Sequence, residues 1–244
     1  WWWEFRYPQL GITTANQFYL PEGRPVALAL RSADVIHSFW VPRIGGKKDV
    51  NPTPRTPEGV DPLHQNEIVF VADSSGDFLG QCAEYCGTSH AIMRMLARVV
   101  PESDFELWVQ DAQTSMEPAG ELEARGREVF LRSTCVACHA VAGTTARGMV
   151  GPNLTLFGER FSIGAGMMEN TRENLTEWIL RAPEIKHGII MPGAEIGAGG
   201  MPPTGLSRED AAAVAAYLLD LRRPLPGTRP VAGDTTNIAA QPAR

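Results

Sequence analysis

No stretch of this sequence is apolar for the roughly 20 residues that a bilayer-spanning helix needs, so nothing in it reads as a membrane span. A basic excess is also missing. Lys and Arg number 22 against 28 Asp and Glu, a formal net charge of -6, which argues against a nucleic-acid binder with its basic face. The small acidic excess concerns solubility and encounter and names no partner. There is no P-loop, no dinucleotide fingerprint, no nucleophile–base pair and no internal repeat. Histidine is limited to five residues and cysteine to four, so any metal or cofactor chemistry must be concentrated in a few places.

What is present supports a folded chain. Hydrophobic residues make up 43% and charged residues 20% of 244, enough for a packed core and unlike a disordered composition. The length suits one or two domains. The chain opens Trp1-Trp2-Trp3-Glu4-Phe5-Arg6-Tyr7, with no initiator Met and no signal peptide. This predicts a cut within a longer protein, with a membrane anchor ahead of Trp1.

Residues 1 to about 100 read as β. Short β-branched or apolar runs at 26–30, 67–71 and 96–100 are bounded by turn residues such as Pro21-Glu22-Gly23 and Ser74-Ser75-Gly76-Asp77, the pattern of a sandwich or small barrel. The Pro-rich stretch 51–62 reads as an exposed loop. A helix capped by Ser103 follows, with Phe105, Leu107, Trp108 and Val109 as its apolar content. Ser115-Met116-Glu117-Pro118-Ala119-Gly120 then breaks the pattern, which places a domain boundary between 115 and 116. The linker at Pro118 and Gly120 would permit inter-domain movement. The second half, 116–224, reads as α: Leu122, Gly126, Val129 and Phe130 recur at helical spacing. Thr171 can cap a helix that Pro183 ends, and Ser207 with Asp210 forms a capping box for a last helix. The Pro-, Ala- and Thr-rich segment 225–244 is expected to be poorly ordered.

The cysteines form two close pairs with a histidine beside each. The first reads Cys82-Ala83-Glu84-Tyr85-Cys86-Gly87-Thr88-Ser89-His90-Ala91-Ile92-Met93. Thiolate and thioether are soft ligands and imidazole is borderline, a set that favours copper over magnesium or calcium. A mononuclear blue-copper site uses one Cys, whereas two thiolates can bridge two copper ions, each ending on its own His. His90 suits one ion. His37, beside an apolar strand in Asp34-Val35-Ile36-His37-Ser38-Phe39-Trp40, is the better candidate for the other, and His64, in the Pro-rich loop, the weaker. On spacing alone, a Cys82–Cys86 disulfide and a zinc site stand beside copper.

These residues carry a resemblance. The pattern C-x-E-x-C-G-x-x-H-x-x-M, preceded by D-V-I-H-S-F-W, closely resembles subunit II of haem-copper cytochrome c oxidases over residues 1 to about 110. The resemblance implies a cupredoxin-like Greek-key β-barrel. It assigns His37, Cys82, Cys86, His90, Met93 and the Glu84 backbone carbonyl to a binuclear copper A centre, and extends the Glu84 side chain to a magnesium ion shared with the catalytic subunit. It places a Trp-rich run where electrons come in, and Trp1 is chosen for that role.

The second pair, Cys135-Val136-Ala137-Cys138-His139, is the C-x-x-C-H signature of covalent c-type haem. Two thiols add across the vinyl groups of one porphyrin edge, and the adjacent His is held under the iron. A thioredoxin-like pair or half a zinc site needs no His after the second Cys. Gly151-Pro152-Asn153-Leu154 follows, and residues from about 120 to 223 resemble class I cytochromes c, an all-α fold. In that family the first and last helices cross at a small residue and an aromatic, which Gly126 and Tyr217 suit. The resemblance calls for an axial Met. Met191, led by Lys186-His187-Gly188, is chosen; Met201 is second and His187 third. Met149, Met167 and Met168 read as packing or loop residues.

Together the halves resemble an oxidase subunit II with a fused cytochrome c domain. That implies electron transfer from haem c to copper A and on to catalytic subunit I, where oxygen is reduced to water and protons are pumped, on the outer face of a cytoplasmic membrane, with an unidentified electron donor. Two alternatives stand beside it: the electron-input part of a copper A-containing nitric oxide or nitrous oxide reductase, and a free-standing soluble carrier.

Overall fold

The computed structural model describes residues 1–53, 65–223 and 225, and the backbone alone at 55–56 and 59–60. His64 and residues 226–244 lie outside the described residues.

The first half is all-β. Its strands are β1 Glu4–Tyr7, β2 Ile12–Ala15, β3 Gln17–Pro21, β4 Pro25–Leu30, β5 His37–Trp40, β6 Lys48–Val50, β7 Arg55–Thr56, β8 Gly59–Val60, β9 Asn66–Val71, β10 Gly76–Cys82 and β11 Arg94–Val100. Five of them form one sheet in the order β3-β11-β10-β5-β6, with β11 parallel to β3 and the other pairs antiparallel. Strands β4 and β9 pair separately. Both alternate between exposed and covered residues, as strands with one wet face must. Their covered residues, Leu28, Leu30, Ile68 and Phe70, meet Phe18, Phe39, Met95, Ala97 and Val99 from the larger sheet in one core. The result is a sandwich, as expected of a cupredoxin-like fold.

Strand β11 is buried on both faces from Met95 to Val100. Met95, Ala97 and Val99 point into the sandwich. On the other face Val100 joins Ile12, Tyr19 and Trp108 in a second core. Trp108 comes from α1, Glu102–Gln113, and is 1% exposed. This helix starts two residues earlier than a Ser103 cap would allow. Pro101 takes the cap position, and the Ser103 hydroxyl turns to Asp104 instead. Proline suits such a boundary because its missing N–H is lost at no cost.

The second half is helical: α2 Glu121–Arg132, α3 Cys135–Cys138, α4 Arg172–Ile185 and α5 Arg208–Asp220. Helices α2 and α5 cross at Gly126. A Cβ there would lie 1.9 Å from the Ala213 carbonyl oxygen and 2.9 Å from the Tyr217 Cβ, so only glycine permits this approach. Thr171 and Ser207 cap α4 and α5, accepting from the amides of Asn174 and Asp210. The Asp210 carboxylate also accepts from Arg125. Pro183 does not end α4. The break falls at Arg181, whose backbone leaves the helical region, and the turn continues to Ile185. Leu225, expected to open a poorly ordered tail, is buried against the core around Trp108. No helix among the described residues is long and apolar enough to cross a membrane.

Candidate functional site

Strand β5 begins at His37 and β10 ends at Cys82, whose register partner is Phe39. The segment after Cys82 returns to the sheet at Arg94, which pairs with Gln81. Backbone bonds close its base: the Cys82 amide donates to the Met93 carbonyl at 3.0 Å and the Ala83 amide to the Ser38 carbonyl at 3.0 Å. Two left-handed residues, Gly87 at φ +100° and Ser89 at φ +62°, fold the segment onto itself.

This geometry gathers six potential ligand atoms. The Cys82 and Cys86 sulfurs lie 3.9 Å apart and are both free thiols. His37 Nδ1 is 3.8 Å from Cys82 Sγ, and His90 Nδ1 is 3.4 Å from Cys86 Sγ. The Glu84 carbonyl oxygen is 3.2 Å from Cys82 Sγ, and Met93 Sδ is 4.0 Å from Cys86 Sγ. His37, Cys82, Cys86 and Met93 are buried. His37 Nε2 donates to Asp34 at 2.7 Å, which leaves Nδ1 to face the sulfurs. The rings of Trp1 and Trp3 stand edge-on to His37 at 5.5 and 6.0 Å.

The two thiols behave as a pair. Burial opposes ionisation of Cys82, but hydrogen bonds from His37 and from the backbone at Glu84 and Ser38 outweigh it and bring Cys82 down to about 6. Burial and the nearby Cys82 charge push Cys86 up to about 12. One thiolate therefore forms readily, and a second needs a cation between the sulfurs. Two soft sulfurs flanked by an imidazole on each side, with a thioether and a carbonyl at the ends, fit a pair of soft cations.

In the second half, Ser133 ends α2 and Cys135–Cys138 form a single turn, so both sulfurs and His139 leave one short stretch of backbone. His139 Nδ1 donates to the Pro152 carbonyl at 2.7 Å. That bond fixes the ring and leaves Nε2 as a lone-pair donor. Burial and the Arg160 charge hold the imidazole pKa below its ordinary value, with the Pro152 bond opposing. Gly151 cradles the ring: a Cβ there would lie 2.7 Å from His139 Cε1. A donor set of two thiols and a fixed, neutral imidazole fits a covalently attached haem. Met191 and Met201 both lie half-buried on the segment between α4 and α5, and His187 is exposed. Met168 packs on the helical core, whereas Met149 is exposed.

Three residues beside these sites have contacts that the sequence did not mark, although Lys186 was noted as the lead-in to Met191. Arg160 sits 5.0 Å over the Phe157 ring and donates to the Asn153 carbonyl, and burial pushes it down to about 10. Glu159 and Lys186 both bind the first half. No spacing rule reveals these contacts, since each charge has partners that lie far away in sequence.

A family model described as "Cytochrome C oxidase subunit II, periplasmic domain" matches residues 5–100, and one described as "Cytochrome c" matches residues 123–222. The chain is 38% identical over 222 residues to cytochrome c oxidase subunit 2 of Alkalihalophilus pseudofirmus, covering 91% of this chain and 58% of the relative. It is 35% identical over 229 residues to cytochrome c oxidase subunit 2 of Bacillus sp. PS3, covering 91% and 60%. Among solved structures, the periplasmic domain of subunit II of cytochrome oxidase of Bradyrhizobium japonicum is 30% identical, with a TM-score of 0.40, covering 46% of this chain and 86% of that one. The chain thus spans less than two thirds of the length of the curated relatives it matches. The two matches lie in tandem, the first over the β half and the second over the helical half, and across both the chain is similar to cytochrome c oxidase subunit 2.

Proposed function

We propose that this chain is the electron-input portion of a haem-copper terminal oxidase. It takes electrons from a donor through its cytochrome half and delivers them through its β half to the catalytic subunit, where oxygen is reduced to water and protons are pumped. Residues 1–115 form the copper domain and 116–224 the cytochrome domain, both on the outer face of a membrane that an anchor ahead of Trp1 enters.

His37, Cys82, Cys86, His90, Met93 and the Glu84 carbonyl hold a binuclear copper A centre. The Glu84 side chain reaches a magnesium ion at the boundary with the catalytic subunit. Cys135 and Cys138 would hold the haem covalently, with His139 Nε2 and Met191 as the iron's two protein ligands. When bound, each group supplies reversible one-electron chemistry with little rearrangement of its ligands. The chain's own residues provide the rest. Asp34 orients His37, and the Pro152 carbonyl orients His139. Burial of Cys82, Cys86 and Met93 keeps water from the sulfurs.

The observation that carries this reading is the pair of free thiols 3.9 Å apart, each with an imidazole nitrogen within 3.8 Å. Metal analysis with optical and paramagnetic resonance spectra tests it. Two coppers sharing one unpaired electron, plus one covalent haem, are expected. A single copper, or zinc in its place, would overturn it.

A further inference from the structure

Lys186 follows the last turn of α4 in the cytochrome half, yet it is 3% exposed and points at the other half. Its ammonium donates to three backbone carbonyls: Ile92 at 2.6 Å, Gly164 at 2.8 Å and Trp1 at 3.1 Å. An ammonium has three donors, so every one is used. Among the described residues no carboxylate pairs with it. A buried ammonium is costly unless satisfied in this way, and an apolar side chain would serve for packing alone.

The three carbonyls define what the lysine joins. Ile92 precedes Met93, a proposed copper ligand, and Gly164 opens a turn of the cytochrome half. The Arg94 amide, on the other side of Met93, donates to the Ala165 carbonyl at 3.0 Å. Met93 is thus flanked by two bonds to the same turn and its lysine. The turn is unusual: Gly164, Ala165 and Gly166 are all left-handed, at φ +64°, +64° and +91°, and Ala165 is fully buried. A non-glycine residue held there is strained and persists only where its surroundings hold it. The turn also fits tightly. A Cβ on Gly164 would meet the Trp178 ring at 2.7 Å, and one on Gly166 would meet the Arg94 side chain at 2.8 Å.

We infer that Lys186 is a positioning residue for electron transfer between the two halves: it pins the turn 164–166 against residues 92–94, so that the Ala165 carbonyl and Arg94 amide form the bonded bridge to Met93. The inference rests on the copper and haem reading above. In the step itself one electron leaves the ferrous haem, which becomes ferric, and one is gained by the oxidised copper pair. No proton moves and no bond is made or broken, and Lys186 stays protonated throughout.

The test uses the full chain loaded with copper and haem, comparing Lys186→Met with the parent. Three quantities are measured: the spectra and potentials of both centres, hydrogen exchange of the peptide containing Arg94, and the rate of electron equilibration after flash reduction of the haem. Spectra and potentials should be unchanged. Arg94 exchange should rise and the inter-centre rate should fall, each by about tenfold or more, as expected when charged-donor hydrogen bonds are lost. An unchanged rate overturns the inference, and so does a shifted copper spectrum or potential, which would make Lys186 part of the copper environment. If Lys186→Met does not fold, Gly166→Ala perturbs the same contact from the Arg94 side and should give the same result; a parental rate there overturns it equally. Absence of copper or haem in the parent chain would defeat the underlying reading instead, and shows before any variant is made.

Discussion

The Tyr19 hydroxyl donates to the Glu159 carboxylate across 2.7 Å, joining a strand of the β half to a turn of the helical half. The bond belongs to a buried polar network. Gln17 accepts from the Phe161 amide and donates to the Glu159 carbonyl, while the Arg223 amide donates to the other Glu159 oxygen. Arg98, held by two 2.7 Å bonds to Asp77, reaches the Tyr19 hydroxyl from below. Such networks fix one arrangement only if every member is satisfied.

Tyr19→Phe should therefore loosen the junction without touching either proposed centre. It removes one donor from a largely buried carboxylate, a loss of about 1–3 kcal/mol. Tyr19 also stacks on Trp108 at 4.6 Å, and Phe retains that contact. Denaturant unfolding, followed separately at haem and copper bands, should show the two halves separating earlier while their spectra in native buffer stay the same.

Glu159 gives the junction a pH dependence of known sign. Burial raises its carboxyl above the ordinary range, with the Tyr19 and Arg223 bonds opposing. The folded chain thus holds the proton more tightly than the unfolded one. The stabilisation is fully present below the ordinary glutamate value of about 4.3 and is lost as pH rises through the raised folded value. Glu159→Gln should remove this slope. The parent midpoint minus the variant midpoint, measured from neutral pH down to about pH 4.3, should rise on acidification; a constant difference would contradict the assignment.

Cys86→Ser separates the two centres chemically. It leaves one thiolate where two are proposed to bridge, so the shared-electron resonance should vanish. The haem bands should be retained, because Cys135, Cys138 and His139 are untouched. Survival of the two-copper signal would rule out Cys86 as a bridge.

Gly126→Ala probes the helix crossing. Its new methyl would meet the Ala213 carbonyl at 1.9 Å, so α2 and α5 must move apart. Overpacking of this kind costs about 1–3 kcal/mol. Thermal unfolding followed at the haem should shift to lower temperature, with the copper bands lost later than the haem bands.

The ligand-bearing segments were legible in the sequence because their chemistry is local. Six proposed copper donors fall in two short motifs, and C-x-x-C-H places thiols and imidazole on five consecutive residues. Strands at 26–30, 67–71 and 96–100, and the caps at Thr171 and Ser207, were legible for the same reason: each is set by residues a few positions apart. The start of α1 was misplaced because Ser103 looks like a cap, yet Pro101 supplies the boundary. Pro183 looked like a stop, but the backbone breaks two residues earlier at Arg181. Least legible was the junction. The linker residues Pro118 and Gly120 suggest freedom, whereas Lys186, Glu159 and Gln17 bind residues from 22 to 185 positions away. The local motif around Lys186, and the lone Glu159, reveal nothing of such a distant partner.

The loop from Cys82 to Met93 leaves and rejoins the sheet on neighbouring rungs, Gln81 opposite Arg94. Beyond that rung the Cys82–Met93 and Ala83–Ser38 backbone bonds close the base, so the stretch from Glu84 to Ala91 behaves as an interchangeable cassette. Its length and donor content can be rewritten, and a different metal selected, while the strand pairing on either side keeps its alignment.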